Sequence, residues 1–267
     1  MPRSVRLAAW GTAVLRGQVT PVEAVRAVTG DDEPHLVELE PRPDALPGDP
    51  ATGRVVELGE LFVQLLQRAT PGLRVVLPAP GDPLGLPGPA AFNRGALETG
   101  ECVLTEVGPD RERSWGLLPW ITEFGSVWEP GAMVRWTATR TDPPRITVSG
   151  SLAEAERELR EALAQGTSTL SRLDVARWRE DAADRVAKVR DGGLPRNTLP
   201  PSAPARSVQV LSTAARVRAI VGLAREDDGA AVTGYEVEHR ARTLRELDGV
   251  SRRAMTAAVN AMLEPGR

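Results

Sequence analysis

Along the chain the spacing of apolar positions alternates between helical and extended periods. Val5, Leu7, Ala8, Trp10, Val14 and Leu15 recur at helical spacing until Gly17 stops them. Thr20-Pro21 opens a second helix, with Thr20 as N-cap, Pro21 at the first helical position and Glu23 completing a capping box, and Gly30 ends it. Residues 35–40 alternate weakly, as a short strand does, whereas residues 41–53 carry four prolines and read as a surface loop. Val55, Leu58, Leu61, Phe62, Leu65 and Leu66 then form an i, i+3, i+4, i+7 stripe, which predicts one amphipathic helix over 55–69.

The run Leu73 to Leu77 is short, apolar and rich in valine, as a buried strand is, and it feeds the proline-rich loop Pro78 to Gly88. A helix over 89–99 and a strand over 102–107 follow. Residues 114–124, 132–140 and 145–148 read as antiparallel strands between turn-forming stretches, with Pro119 bending or bulging the first. The expected fold class is therefore α/β in the α+β sense: a mixed, largely antiparallel sheet of five or six strands with helices packed on it.

Ser151 and Glu154 make a second capping box, opening a helix over 151–164 that Gly166 is expected to terminate. A further helix over 172–190 keeps Leu173, Ala176, Ala183, Val186 and Val189 for packing. The Pro/Gly-rich stretch 191–206 reads as the main linker. It divides an α/β domain over 1–190 from a C-terminal α-helical hairpin over 207–267, whose helices span 208–225 and 235–262 around the turn Asp227-Asp228-Gly229. Thr233 and Glu236 are expected to cap the second helix and Gly249 to bend it. Two helices rarely bury a core alone, so the hairpin is expected to dock on the first domain or on a second copy.

Composition narrows the chemistry more than it suggests any. The 41% hydrophobic and 26% charged content is that of a globular chain, and a net charge of -3 lacks the positive field on which non-specific nucleic-acid and anionic-membrane binding rest. Arginine in place of lysine, with Lys188 alone, marks a high-GC genome. One cysteine, Cys102, excludes an intramolecular disulfide and fits a reducing cytoplasm. With two histidines, His35 and His239, no histidine-rich metal site is expected, and neither a catalytic set nor a cofactor signature is present. The N-terminal apolar run, interrupted by Gly11 and Thr12, reads as a first amphipathic helix and not as a signal peptide. No run reaches the length of a membrane span.

Three groups of residues remain as candidates. The loop after the first central strand leaves the sheet where α/β proteins bind ligands, so Asp82 and Arg94, with Trp120 from the strand region, form a candidate ligand site. Trp120 and Trp128 flank loops and are placed to line a pocket or stack on a partner. The seam Val210, Val217, Val221, Leu244 and Leu247 on the hairpin is the candidate partner-binding face. Arg240, Arg242, Arg245, Arg252 and Arg253 raise nucleic acid, but Glu238 and Asp248 stand four residues before Arg242 and Arg252 and neutralise the helix face. Cys102 beside a histidine is the remaining nucleophile-base combination, set against a cysteine that packs as a small hydrophobe.

The stretch Leu77 to Gly88 with Ala96 to Glu101, the opening Leu7-Ala8-Ala9-Trp10-Gly11 and the ending Leu244 to Asp248 resemble conserved uncharacterised proteins of high-GC Gram-positive, actinobacterial species. The resemblance spans most of the chain and implies no activity. The expectation is thus a cytoplasmic, non-catalytic interaction or regulatory protein whose hairpin binds a protein partner or another copy. The alternatives are a small-molecule binder or enzyme using the Asp82 loop, and weak nucleic-acid binding.

Overall fold

In the computed structural model, residues 1–39, 53–106, 114–126, 129–143, 151–172, 185–186, 188–189, 192–195, 197–226 and 234–263 are described. The expected strand over 145–148, most of the expected helix over 172–190, Trp128, the 227–229 turn and Thr233 lie outside them; residues 185–186 and 188–189 of that expected helix are helical.

The chain opens with α1 (Arg3–Leu15) and α2 (Pro21–Thr29). α1 is buried on nearly every side, from Ser4 and Val5 through Leu7 to Val14, and so is a core helix and not an amphipathic one. Its N-terminus has no cap from its own turn. Instead Glu101 accepts hydrogen bonds from the Ser4 amide and hydroxyl, both at 2.7 Å, in a buried setting. α2 carries the expected capping box, Thr20 and Glu23 satisfying each other's amides.

β1 (Leu36–Leu39) and β2 (Val55–Glu57) follow, with α3 (Leu58–Gln67), β3 (Leu73–Val76), α4 (Ala90–Thr99) and β4 (Cys102–Thr105). The helix expected over 55–69 thus begins three residues late. Two consecutive β-branched valines lie against β1, with Val37 opposite Val56 and Leu36 opposite Glu57, and ladder pairing takes them out of the helix. β5 (Ser114–Gly125) and β6 (Pro130–Thr141) are the long strands, paired along their whole length. Sheet order is β2-β1-β6-β5-β4-β3, antiparallel except where β1 runs parallel to β6. This is the expected mixed, largely antiparallel α+β sheet.

Side-chain alternation assigns the two faces. α1 and α3 lie on the side of Leu73, where Gly11 leaves no room for a Cβ beside that leucine. α4 covers the opposite side over β3, β4 and β5, with Phe92 and Ala96 among Val76, Cys102, Leu104 and Leu118. A Cβ on Gly116 would overlap the Phe92 ring.

The remaining helices are α5 (Leu152–Arg172), α6 (Ala205–Glu226) and α7 (Gly234–Asn260). α7 packs on both α5 and α6, and Val217, Val221, Ala224, Leu244 and Leu247 form a core closed by Ala162 and Leu163 of α5. The Ser151/Glu154 box opens α5 as expected. Gly166 does not end it: the helix runs on to Arg172, and a Cβ at 166 would stand 3.1 Å from Leu247. Glycine serves here as a close-packing position.

The chain forms two compact units, divided otherwise than the linker composition suggested. One comprises residues 1–147, 197–203 and 262–267, the other 148–196 and 204–261. The boundary falls before α5 because that helix supplies the third wall of the helical core. Part of the expected linker returns to the sheet unit, where the Asn197 carbonyl accepts from the Trp10 indole N–H at 2.8 Å and Ser202 donates to Gln18 at 2.8 Å.

Candidate interaction surface

The three residues of the expected ligand site each have another setting. Asp82 closes a tight turn through reciprocal backbone bonds with Ala79 of 3.0 and 2.8 Å. The rest of its loop is pinned down: Leu86 is buried with Phe92, Leu84 packs beside it, and the Gly88 amide donates to Asn93 Oδ1 at 3.0 Å. Arg94 is exposed on α4, and Trp120 is exposed on β5. The loop is a braced connection.

The seam on α6 and α7 is also spoken for. Val210, Val217, Val221, Leu244 and Leu247 are all buried, the last four in the core that α5 completes. The hairpin does not leave an apolar stripe open, because its third helix lies upstream in the same chain.

Four of the five C-terminal arginines are held internally. Arg242 pairs with Glu238 and Arg252 with Asp248, both at 3.1 Å and at the expected i, i+4 spacing, Arg253 meets Glu158 at 3.8 Å, and Arg240 donates to the Ala224 carbonyl. Arg218 also reaches Asp248 at 3.5 Å. Cys102 is fully buried and burial pushes its thiol far up, so it packs as a hydrophobe.

His35 is the group that sequence reasoning undervalued. Its ring is buried, with Trp136 Nε1–H donating to Nδ1 at 3.2 Å and Nε2 facing Asp32 at 3.3 Å. Indole nitrogen only donates, so Nδ1 must accept and the proton sits on Nε2, aimed at Asp32. Asp32 in turn accepts two bonds from Arg3, at 2.9 and 3.1 Å. Burial lowers the His35 pKa, the Asp32 hydrogen bond and charge opposing it. Burial raises that of Asp32, but Arg3 and His35 outweigh it and hold the carboxyl below its ordinary range. Both imidazole nitrogens are occupied, so His35 has none left for proton transfer to a substrate. It stands at the edge of an apolar cleft of about 680 Å³ between α2 and α3, lined by Val22, Val25, Leu58 and Val63.

Among the described residues, the most exposed aromatic side chains lie on the far half of β5 and β6. β4 pairs with β5 only at Gly116 and Leu117, so beyond Leu118 the two long strands run on as a ribbon. Trp120, Thr122 and Phe124 share the α4 side of the sheet with Gly116 and Leu118, but α4 does not reach them. Trp120 is 40% exposed, Phe124 47%, and Met133, directly opposite Thr122, 41%. Phe124 folds over Gly131, where a Cβ would be only 2.7 Å from its ring, so the glycine lets the aromatic lie flat across the ribbon. Ile121, 36% exposed, points to the other side. The signal was present in sequence as Trp-x-Thr-x-Phe alternation, but only Trp120 was singled out, because Met133 and Phe124 become neighbours through register alone.

Among the described residues no group of three or more histidine, cysteine, aspartate or glutamate side chains could hold a metal, and no helix is long and apolar enough to cross a membrane. Fold and surface together define a two-unit α+β protein, a mixed-sheet unit followed by a helical one, with exposed aromatic side chains on the β5–β6 ribbon. The chain belongs to the Rv1486c-like protein family: the model of that family's N-terminal domain matches residues 4–149 and that of its C-terminal domain residues 153–256, a division within a few residues of the structural one. Among its relatives, the uncharacterized protein Rv1486c of Mycobacterium tuberculosis (strain H37Rv) is 29% identical over 209 residues, covering 72% of this chain and 70% of that one. The uncharacterized protein ML1804 of Mycobacterium leprae is 26% identical over 296 residues, covering 97% of each. No solved structure matches the chain.

Proposed function

We propose that this chain is a non-catalytic interaction protein whose contact surface is the β5–β6 ribbon and not the helical seam. The observation that carries the reading is the cluster Trp120, Phe124 and Met133, three large apolar side chains on one face, each at least 40% exposed. Isolated exposed apolar residues are ordinary, but adjoining exposed aromatics on a strand face, with nothing packed over them among the described residues, mark surfaces that bind protein. That the seam is buried and that both His35 ring nitrogens are hydrogen-bonded within the chain favour the ribbon over those two alternatives. We place the protein in the cytoplasm, on the strength of its single buried thiol.

Tagged full-length protein and a W120S/F124S variant, each presented to lysate of an actinobacterial host, test the reading. A protein retained in stoichiometric amount by the parent and lost from the variant supports it, provided that a V63S variant, altered at an exposed valine of α3, retains that protein. Equal retention by parent and ribbon variant would overturn it, as would no retention at all.

A further inference from the structure

The outer edge of β5 supports a more specific partner. From Trp120 to Gly125 this strand has β6 on one side and, among the described residues, no strand on the other. The corresponding edge of β6 is partly taken, since the Ala132 carbonyl accepts from the Glu33 amide at 2.8 Å. Natural edges are guarded by lysine, inward charge, proline or a bulge. This one reads Trp120-Ile121-Thr122-Glu123-Phe124-Gly125, rich in strand formers and holding a single charge.

We propose that two copies of this chain pair antiparallel through these β5 edges, making one continuous sheet across a two-fold axis. The inference rests on the interaction reading above and names its partner. A two-fold perpendicular to a sheet keeps like faces on the same side, so only registers centred on a residue are open. Centring on Glu123 sets two carboxylates directly opposite, which destabilises a strand pair. Centring on Ile121 sets Pro119, which has no N–H, opposite Glu123 of the second copy, two residues from the axis, whereas centring on Thr122 moves it out to the end of the ladder, opposite Gly125. Centring on Thr122 places Trp120 against Phe124 of the second copy and Phe124 against its Trp120, with both Met133 side chains alongside. Glu123 then faces Ile121. The exposed aromatic cluster is thereby shared out in two equivalent halves, as an isologous contact requires.

The axis passes beside Thr122, so that residue meets its own counterpart. Sedimentation of the full chain at micromolar concentration should give twice the chain mass, and T122K, which opposes two ammonium groups, should return it to one chain mass with its circular dichroism unchanged. Because Cys102 is buried and unreactive, T122C reports the register cleanly: mild oxidation should yield a reducible covalent dimer, and V63C on the surface of α3 should not. Should T122K disturb the ribbon, the T122C result decides. A monomer at all concentrations, a dimer indifferent to T122K, or T122C crosslinking no faster than V63C overturns the inference. A monomer that still retains a different protein through Trp120 and Phe124 overturns self-pairing and leaves the interaction reading intact. A monomer that retains nothing removes both.

Discussion

Every polar atom of the His35 ring is committed, Nδ1 to Trp136 and Nε2 to Asp32, and this fixes how the protein responds to acid. Folding lowers the pKa of this histidine, so between the native and unfolded values the unfolded chain binds more protons and stability rises with pH. The contribution is complete above the ordinary histidine value near 6.5 and is lost as pH falls through the lower native one. The depressed Asp32 carboxyl acts in the same direction in a lower window, below its ordinary value of 3.8. The urea midpoint should therefore fall between pH 7 and pH 5. In H35Q, whose amide can still accept from Trp136 and donate to Asp32, it should fall less. An H35Q midpoint that drops as steeply as the parent's would assign the acid sensitivity to other groups. Glu101 offers a second test at this scale. Replacing it with alanine strips the Ser4 amide and hydroxyl of their buried acceptor, and denaturation should show a loss of about 1–3 kcal/mol.

Whether an element could be foreseen depended on how local its cause is. α2 and α5 begin where Thr20/Glu23 and Ser151/Glu154 announce them, because a capping box is complete within four residues. The cap on α1 could not be foreseen, since its carboxylate comes from 97 residues away. Val55 fitted a helical stripe, and it and Val56 became a strand because β1 was there to pair with them. Gly166 looked like a stop signal, and only the nearness of Leu247 gives it its other meaning. The exposed aromatic cluster was half visible for the same reason: Trp120 stands out by type, whereas its grouping with Phe124 and Met133 is a property of register. The Gly166 explanation predicts that G166I forces α5 away from α7 and costs about 1–3 kcal/mol by overpacking, measured as a lowered midpoint. A G166I protein as stable as the parent would show that the two helices are free to separate there.

At the scale of the whole chain, proline and glycine content located a loop but not a domain boundary. Composition reports where regular structure stops, while unit membership is decided by what each helix buries. α5 belongs with α6 and α7 because Ala162 and Leu163 complete their core. A fragment limited to residues 204–261 should accordingly unfold with little cooperativity and associate through its uncovered seam, whereas one starting at residue 148 should melt as a single transition; calorimetry and sedimentation of the two fragments distinguish them. The sheet unit makes a different demand. Its first helix is tied by Trp10 to the Asn197 carbonyl and by Arg16 to the carbonyls of Met262 and Leu263, contacts separated by 187 to 247 residues. During synthesis the N-terminal helix leaves the ribosome long before the residues that secure it exist. The sheet must therefore wait, partly open, while the intervening helical unit is made and folds, and a nascent chain halted before residue 197 should remain a substrate for chaperones and proteases that the finished chain resists.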